Sequence, residues 1–359
     1  MENTETNAAS LVDQNSIKHT SDVKFHGKAG EFFSIWIVNL LLTIVTLGIY
    51  SAWAKVRTNR YFYSNTEVDG HRFSYLADPI QILKGRIIGL LLFGCYFLAS
   101  AFSPILALVI MLLLFLATPL LICLSLRFSM RMTAYRNIRF NFTGTYGKAF
   151  VTFFLLPIMA FFTLYLAMPW VLKKMDEFVC SHITFGDKEI QAEFETSEYY
   201  IAAIGATAII VAIMSIAFAV MGGSLAAFTN PDATPEMSMS MSIIMVAYIL
   251  AILLGSSFYT ARIRNQLFNN SRINEVASFK SDISVGQLIW LRLTNFIAVI
   301  CTLGFAMPWA HVRSAKLFAD VTQVNILNGA DNVVVDSSKA ASAIGEEVAN
   351  AFDVDIALG

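Results

Sequence analysis

Three tryptophans carry the pattern in this chain best suited to recognition chemistry. Trp53, Trp170 and Trp309 each follow a Thr-Leu pair seven and six residues upstream and precede a basic residue four downstream, Arg57, Lys174 and Arg313. Two amides, Asn39 and Asn295, share the position fourteen residues before the first and third Trp, where the middle segment has Leu156. Indole rings beside Lys or Arg at the edge of an apolar run suit a bilayer interface, or the mouth of a cleft that takes a small solute or a lipid head group. An amide within such a run must find a partner, which makes Asn39 and Asn295 either helix-to-helix contacts or ligand contacts. These eight residues form the candidate binding set. Each also has a plainer role: belt anchors for the tryptophans, snorkelling segment ends for the basic residues, helix glue for the amides.

Catalytic chemistry has no comparable carrier. Gly-rich phosphate loops, nucleophile elbows, paired catalytic carboxylates and zinc motifs are missing in any fitting context, so no enzyme, cofactor or metal site is expected. His26, His71, His182 and His311 lack metal-ligand spacing. Cys95, Cys123 and Cys301 sit in apolar segments and Cys180 stands alone, which gives no disulfide framework. The uncharged runs hold no Asp or Glu, which weakens ion-coupled transport. A net charge of −1 and a pI near 6.5 give no basic field for nucleic acid. The expected partners are membrane lipids, anionic head groups among them, with a homo-oligomer left open.

The elements that position these residues follow from composition. Apolar residues make up 56% of the 359 and charged residues 14%, with a mean hydropathy of +0.61, the balance of a polytopic membrane protein. Uncharged runs cover Phe32–Ala54, Ile87–Leu126, Ala149–Leu172, Ile201–Pro231, Met237–Ala261 and Leu293–Ala310. A bilayer core needs about 20 apolar helical residues, so Ile87–Leu126, broken at Ser103-Pro104, reads as two spans and the total as seven apolar segments. The first residues are polar and lack an apolar core, so a cleavable signal peptide is not expected.

Gly30, Gly147 and Gly286 each lie 23 residues before a Trp, and together with the Thr-Leu pairs they indicate a threefold internal repeat. Alternating stretches around each copy read as strands: Val23–Gly27 and Ile138–Phe142 ahead, and Gly-bearing hairpins at Thr66–Tyr75, His182–Ile190 and Val321–Val335 behind. Sheet edges are not tolerated in lipid, so these hairpins belong in water. The expected fold is an all-α polytopic membrane protein with three internal Trp-motif repeats and small cytoplasmic β-hairpins. Its parts are a disordered tail (1–22), repeat 1 (23–80), a transmembrane hairpin (81–127), repeat 2 (128–198), a second transmembrane hairpin (199–260), repeat 3 (261–340) and an acidic-apolar C-terminal tail (341–359).

Charge bias places the basic stretch Arg127–Lys148 and the one carrying Arg262, Arg264, Arg272 and Lys280 on the cytoplasmic side. Both transmembrane hairpins then start and end there, so Ala149–Leu172 cannot cross once. Either it is re-entrant, bent at Pro157 and Met168-Pro169, or it crosses and the second hairpin is inverted against its charges.

The arrangement Phe25-His26-Gly27, Glu31-Phe32-Phe33, Trp36, Asn39, Thr46-Leu47-Gly48-Ile49-Tyr50, Trp53-Ala54-Lys55-Val56-Arg57, Arg60-Tyr61-Phe62 resembles the YjgN-type bacterial inner-membrane family, a domain of unknown function. The closing Gly345-Glu346-Glu347-Val348 and Phe352-Asp353-Val354-Asp355 look like that family's end. The resemblance implies a multi-pass protein of the bacterial cytoplasmic membrane and carries no catalytic residues over. The middle copy departs from the motif with Leu156, Tyr165 and Leu172. The function expected is passage or binding of a small solute or lipid through a site lined by the Trp motifs. The rival reading is an assembly protein that recruits a soluble partner through its hairpins.

Overall fold

The computed structural model of the chain describes residues 17–220 and 235–333. Its strands follow a strict rhythm with its helices. Helix pairs α1 (Ala29–Val45) and α2 (Ser51–Asn65), then α3 (Pro79–Phe102) and α4 (Pro104–Arg131), are each followed by two short strands, β3 (Thr66–Val68) with β4 (His71–Tyr75) and β5 (Thr133–Tyr135) with β6 (Ile138–Phe142). Next come α5 (Tyr146–Phe162), which has a π-helical turn at Val151–Leu155, and α6 (Met168–Ser181), followed by β7 (Ile183–Phe185) and β8 (Lys188–Ala192). Helices α7 (Thr196–Val220) and α8 (Pro235–Asn269) lead to β9 (Ser271–Ile273) and β10 (Ala277–Ser281). Helices α9 (Val285–Cys301) and α10 (Met307–Asp320) lead to β11 (Thr322–Leu327) and a 3₁₀ turn at Asn328–Asn332. Before α1 stand β1 (Ile17–Asp22) and β2 (Lys24–Phe25).

All eleven strands form one sheet in the order β1-β11-β10-β9-β8-β7-β6-β5-β4-β3-β2. Every pairing is antiparallel. The two ends of that order, β1 and β2, are consecutive in the chain, so the sheet closes on itself through the stretch from Ile17 to Phe25. Val23 between them donates its amide to the Thr322 carbonyl at 3.1 Å. Side chains reinforce the seam: His19 Nε2 meets Asp69 Oδ1 at 2.6 Å, Asp69 N donates to Ser21 Oγ at 2.9 Å, and His26 Nε2 meets Glu67 Oε2 at 3.0 Å. Closure removes the free edges that an open sheet presents to other chains.

The turns follow from local chemistry. Asp69-Gly70 and Arg136-Asn137 have positive φ at both central positions, the two-residue hairpin turn whose twist matches the strands. Outside the ring, polar side chains link strands: Thr20 Oγ1 donates to Asn325 Oδ1 at 2.7 Å, and Asn325 Nδ2 donates to Ser278 Oγ at 3.3 Å. Inside it, Val68, Phe185, Ile273, Val276, Ala277, Val324 and Ile326 are buried. A polar exterior around an apolar interior is the signature of a barrel bathed in water, the reverse of one facing lipid.

The helices reverse that polarity. Pro79–Phe102, Pro104–Arg131, Thr196–Val220 and Met241–Asn269 are long and apolar enough to cross a membrane, and Ala29–Val45, Tyr146–Phe162 and Val285–Cys301 are shorter apolar helices. Asp78 and Ser103 cap α3 and α4, each followed by proline at the first helical position, so the reversal at Ser103 costs no unpaired cap amide. The chain divides into two compact units. One holds the whole sheet with α1–α6 and α10 from Pro308 onwards; the other, Glu195–Gln266 and Asp282–Met307, is helical. In the second unit Arg262 pairs with Glu198 at 2.7 Å, and Gly205 lies so close to the Phe258 ring that an added Cβ would stand 2.3 Å from it.

The expectation of an all-α fold with separate small hairpins is therefore corrected: the hairpins are joined into one closed sheet, because each pairs with its neighbours as well as with itself. The Trp motifs do not set the architecture. Helix pairs without the motif, α3–α4 and α7–α8, deliver strands to the sheet just as the others do. Of the hairpin expected at Val321–Val335, the described residues up to 333 hold a single strand, after which Asn328-Gly329 opens a 3₁₀ turn. The first strand starts at Ile17, within the stretch expected as tail. The C-terminal tail expected at 341–359 lies outside the described residues.

The joint between sheet and helices is tight in one place that can be tested. A Cβ on Gly144 would stand 2.4 Å from the Phe142 ring and 2.9 Å from that of Phe178, and Phe142 is fully buried in the cluster with Ile122, Leu126 and Ala149. Gly144→Ala is expected to destabilise the protein by about 1–3 kcal/mol through overpacking, read as a lowered midpoint in thermal unfolding of the detergent-solubilised chain, with Gly147→Ala, which meets nothing within 4 Å, as the neutral comparison.

Candidate functional site

The ring of strands is wider than its own side chains fill. A cavity of about 310 Å³ remains inside it, walled chiefly by Phe73, Phe140, Phe185, Phe279, Val324 and Ile326. Aromatic rings run along one wall, with centroid separations of 4.9 Å for Phe73 and Tyr135, 6.2 Å for Tyr135 and Phe185, and 4.9 Å for Phe140 and Phe185. Polar character enters at the hairpin-turn end through Asp69 and Arg136. Beyond β11 the chain folds over this end: Leu327 N donates to Val276 O at 2.9 Å and Gly329 N to Glu275 O at 3.1 Å, which brings Ala330 and Val333 onto the lining. Only glycine fits at 329, because a Cβ there would stand 2.6 Å from the Glu275 carbonyl oxygen.

Tyr135 is the one titratable ring in the wall. Its hydroxyl donates to the Val68 carbonyl at 2.8 Å, which leaves an apolar ring face toward the cavity. Burial, then the nearby Asp69 carboxylate, push the phenol up to about 12, against a smaller pull downward from Arg136. Among the described residues no cluster of His, Cys, Asp and Glu is placed to hold a metal ion.

The eight residues singled out in the sequence lie elsewhere, and none lines the cavity. Trp53 is half-buried at the start of α2, stacked on Tyr50 at 6.1 Å, beside the cluster of Ala52, Val56, Tyr75 and Ile82. Trp170 is half-buried in the first turn of α6, and Trp309 is exposed with the Arg313 guanidinium 5.1 Å over its ring. Arg57 is exposed, and Lys174 pairs with Glu177 at 2.8 Å. Asn39 is 5% exposed and spans a helix pair, its Nδ2 donating to Ala54 O at 3.5 Å, while its Oδ1 has no partner. Asn295 is half-buried on α9.

What these segments share is a turn. Leu47 and Gly48 have φ of 50 and 92, Leu164 and Tyr165 of 52 and 61, Leu303 and Gly304 of 50 and 93. In each, the Thr hydroxyl accepts the amide four residues on: Tyr50 N at 2.9 Å, Ala167 N at 3.2 Å and Ala306 N at 2.9 Å. The Thr-Leu pair is thus a helix-reversing device, and the Trp opens the returning helix. The cavity wall was legible only in retrospect, through alternations such as Ala277-Ser278-Phe279-Lys280 and turn pairs such as Asp69-Gly70.

A family model described as bacterial protein of unknown function (DUF898) matches residues 20–351. The chain belongs to that family. The match runs from inside β1 to beyond the described sheet, so it covers the closed ring as well as the helices. Among curated relatives, the inner membrane protein YjgN of Salmonella typhimurium strain LT2 is 27% identical over 85% of this chain and 89% of its own length. YjgN of Escherichia coli O157:H7 is 24% identical over 89% of this chain and 94% of its own length. YjgN of Escherichia coli strain K12 is 37% identical over 42% of this chain and 38% of its own length. No solved structure matches the chain.

Two outcomes check this geometry. Tyr165 occupies a left-handed position that glycine fills in the other two turns, so Tyr165→Gly is expected to stabilise by about 1 kcal/mol, the strain relieved less the added chain entropy, seen as a raised unfolding midpoint. Tyr135 holds its proton more tightly folded than unfolded. Its contribution is therefore complete below pH 10.0 and lost as the pH rises from there to about 12. Tyr135→Phe should remove that part of the alkaline fall in stability.

Proposed function

We propose that this protein is an integral protein of the bacterial cytoplasmic membrane whose water-bathed strand barrel binds a small, mainly apolar molecule, a solute or a single lipid chain, in its interior. One observation carries the reading: a cavity of about 310 Å³, walled by aromatic and aliphatic side chains, within a ring that polar residues cover on the outside. Its volume falls at the lower end of the range for small-molecule sites, and a mainly apolar lining with a few polar groups is what such sites present. Asp69 and Arg136 at one end offer a polar terminus a place, so an amphipathic guest with a short head fits as well as a wholly apolar one. The membrane setting rests on the four long apolar helices and on relatives named as inner membrane proteins.

The proposed guest sits in the sheet interior, away from the Trp motifs. The test is photolabelling of the purified full-length protein with a diazirine-bearing alkyl alcohol, followed by peptide mapping. Label is expected on the strand peptides containing Val276–Phe279 and Val324–Ile326. The filling change Ala277→Phe should cut that label by roughly tenfold, since buried volume decides occupancy of an apolar site, and leave label on the lipid-facing helices unchanged. Label confined to the helices in both proteins sinks the reading.

A further inference from the structure

Three helix pairs end in tips that are unusual for any surface facing water. Leu47, Leu164 and Leu303 are 93%, 84% and 90% exposed, and each sits at the apex of its turn in the left-handed region. Their neighbours extend the apolar surface, with Ile49 59%, Leu166 74% and Phe305 55% exposed. No charged residue occurs in the runs that hold these tips, 32–54, 149–172 and 293–310.

The backbone of each tip is the second observation. In the first, the amides of Leu47, Gly48, Ile49, Tyr50 and Ser51 donate to Ile44 O, Thr43 O, Thr46 O, Thr46 Oγ1 and Gly48 O. In the second, Leu164, Tyr165, Leu166, Ala167 and Met168 donate to Phe161 O, Ala160 O, Thr163 O, Thr163 Oγ1 and Tyr165 O. In the third, Leu303, Gly304, Phe305, Ala306 and Met307 donate to Ile300 O, Val299 O, Thr302 O, Thr302 Oγ1 and Gly304 O. A loop in water leaves amides to the solvent. One that satisfies five consecutive amides internally, recruiting a threonine hydroxyl where the backbone falls short, suits a medium that offers no hydrogen bonds.

Length sets the depth. The first basic residues on the returning legs, Lys55, Lys173 and Arg313, lie eight, nine and ten residues from Leu47, Leu164 and Leu303, and with helix starting at Ser51, Met168 and Met307 this is a turn plus about 6–9 Å of helix. Basic residues hold to the interface, so the tips reach beyond it into a hydrocarbon core of roughly 30 Å without the length to cross it. We infer that these three helix pairs are re-entrant: each dips its tip into the acyl-chain region, turns at the Thr-Leu pair and returns to the side it came from. The strands agree, because β2 and β3, β6 and β7, and β10 and β11, which bracket the three pairs, are hydrogen-bonded neighbours in one sheet. The surface so presented takes lipid hydrocarbon as its partner.

The test uses full-length protein with Cys95, Cys123, Cys180 and Cys301 replaced by serine, reconstituted in phosphatidylethanolamine–phosphatidylglycerol vesicles. Leu47→Cys, Leu164→Cys and Leu303→Cys carry a nitroxide in turn, with Ile49, Leu166 and Phe305 as second positions should a first variant unfold. Gly70→Cys and Asp187→Cys, at hairpin turns, mark the aqueous side of the sheet. The expected result is that tip nitroxides collide with oxygen in preference to a water-soluble nickel chelate, and that a membrane-impermeant maleimide reacts at the tips from neither face, at least roughly tenfold more slowly than at Gly70→Cys. Reaction from the face opposite Gly70→Cys means the segments cross, and reaction from the same face means the tips lie in water. A tip-to-tip cross-link between two copies means that protein covers them. Each of these three results overturns the inference.

Discussion

Everything in this chain hangs on one pairing: the stretch from Ile17 to Phe25 bonds β11 with its first part and β3 with its last. Without it the sheet has two open edges, each a row of unpaired amides and carbonyls at the very places where the first and last helix pairs are attached. With it the sheet is a ring, and every helix pair leaves from the ring and returns to it. The seam is reinforced outside the backbone by the contacts of His19 and Ser21 with Asp69 and of His26 with Glu67. Closure is also long-range, since Thr20 and Asn325 are 305 residues apart, the kind of contact whose loop-closure entropy slows folding.

That distance explains what the sequence could and could not convey. The Thr-Leu pair and the Trp seven residues on are local signals with a local cause: a hydroxyl that accepts the amide four residues later and a residue that tolerates positive φ. The bend expected at Pro157 and Met168-Pro169 falls instead at 163–167, since Pro157 stands in the first turn of its helical stretch and Met168 opens the next helix. The hairpins at Asp69-Gly70 and Gly186-Asp187 were equally legible, because two-residue turns demand those residue types. The joining of the hairpins was not. Strands such as β5, β7 and β9 contribute three residues each, too few for alternation to show which neighbour they pair with. The apolar helices carry the stronger sequence signal, and the sheet is made of fragments too short to compete with it.

The eight polar and aromatic residues picked out from spacing show the limit of the same logic. Their regularity is real, and it serves the turn: Asn39 bridges the two legs of its pair, and Trp53 stacks on the residue that closes the turn. Regular spacing of aromatic and basic residues reports on a constraint, and here the local constraint is a turn whose amides bond within it.

The cavity follows from the same construction. A ring of about eight strands is just filled by its own side chains, and wider rings leave room inside. Here eleven strands occupy ten places, because β1 and β2 share one. Each helix pair must be flanked by two strands to be tied into the ring, so the number of pairs dictates the circumference, and the circumference dictates a void. Phenylalanines at 73, 140, 185 and 279 narrow that void without filling it. A chain under pressure only for stability would close such a space with longer aliphatic side chains at positions like Ala277 and Val324, since empty apolar volume is costly. Ala277 and Val324 leave the space open here, and the guest we propose is what would offset that cost.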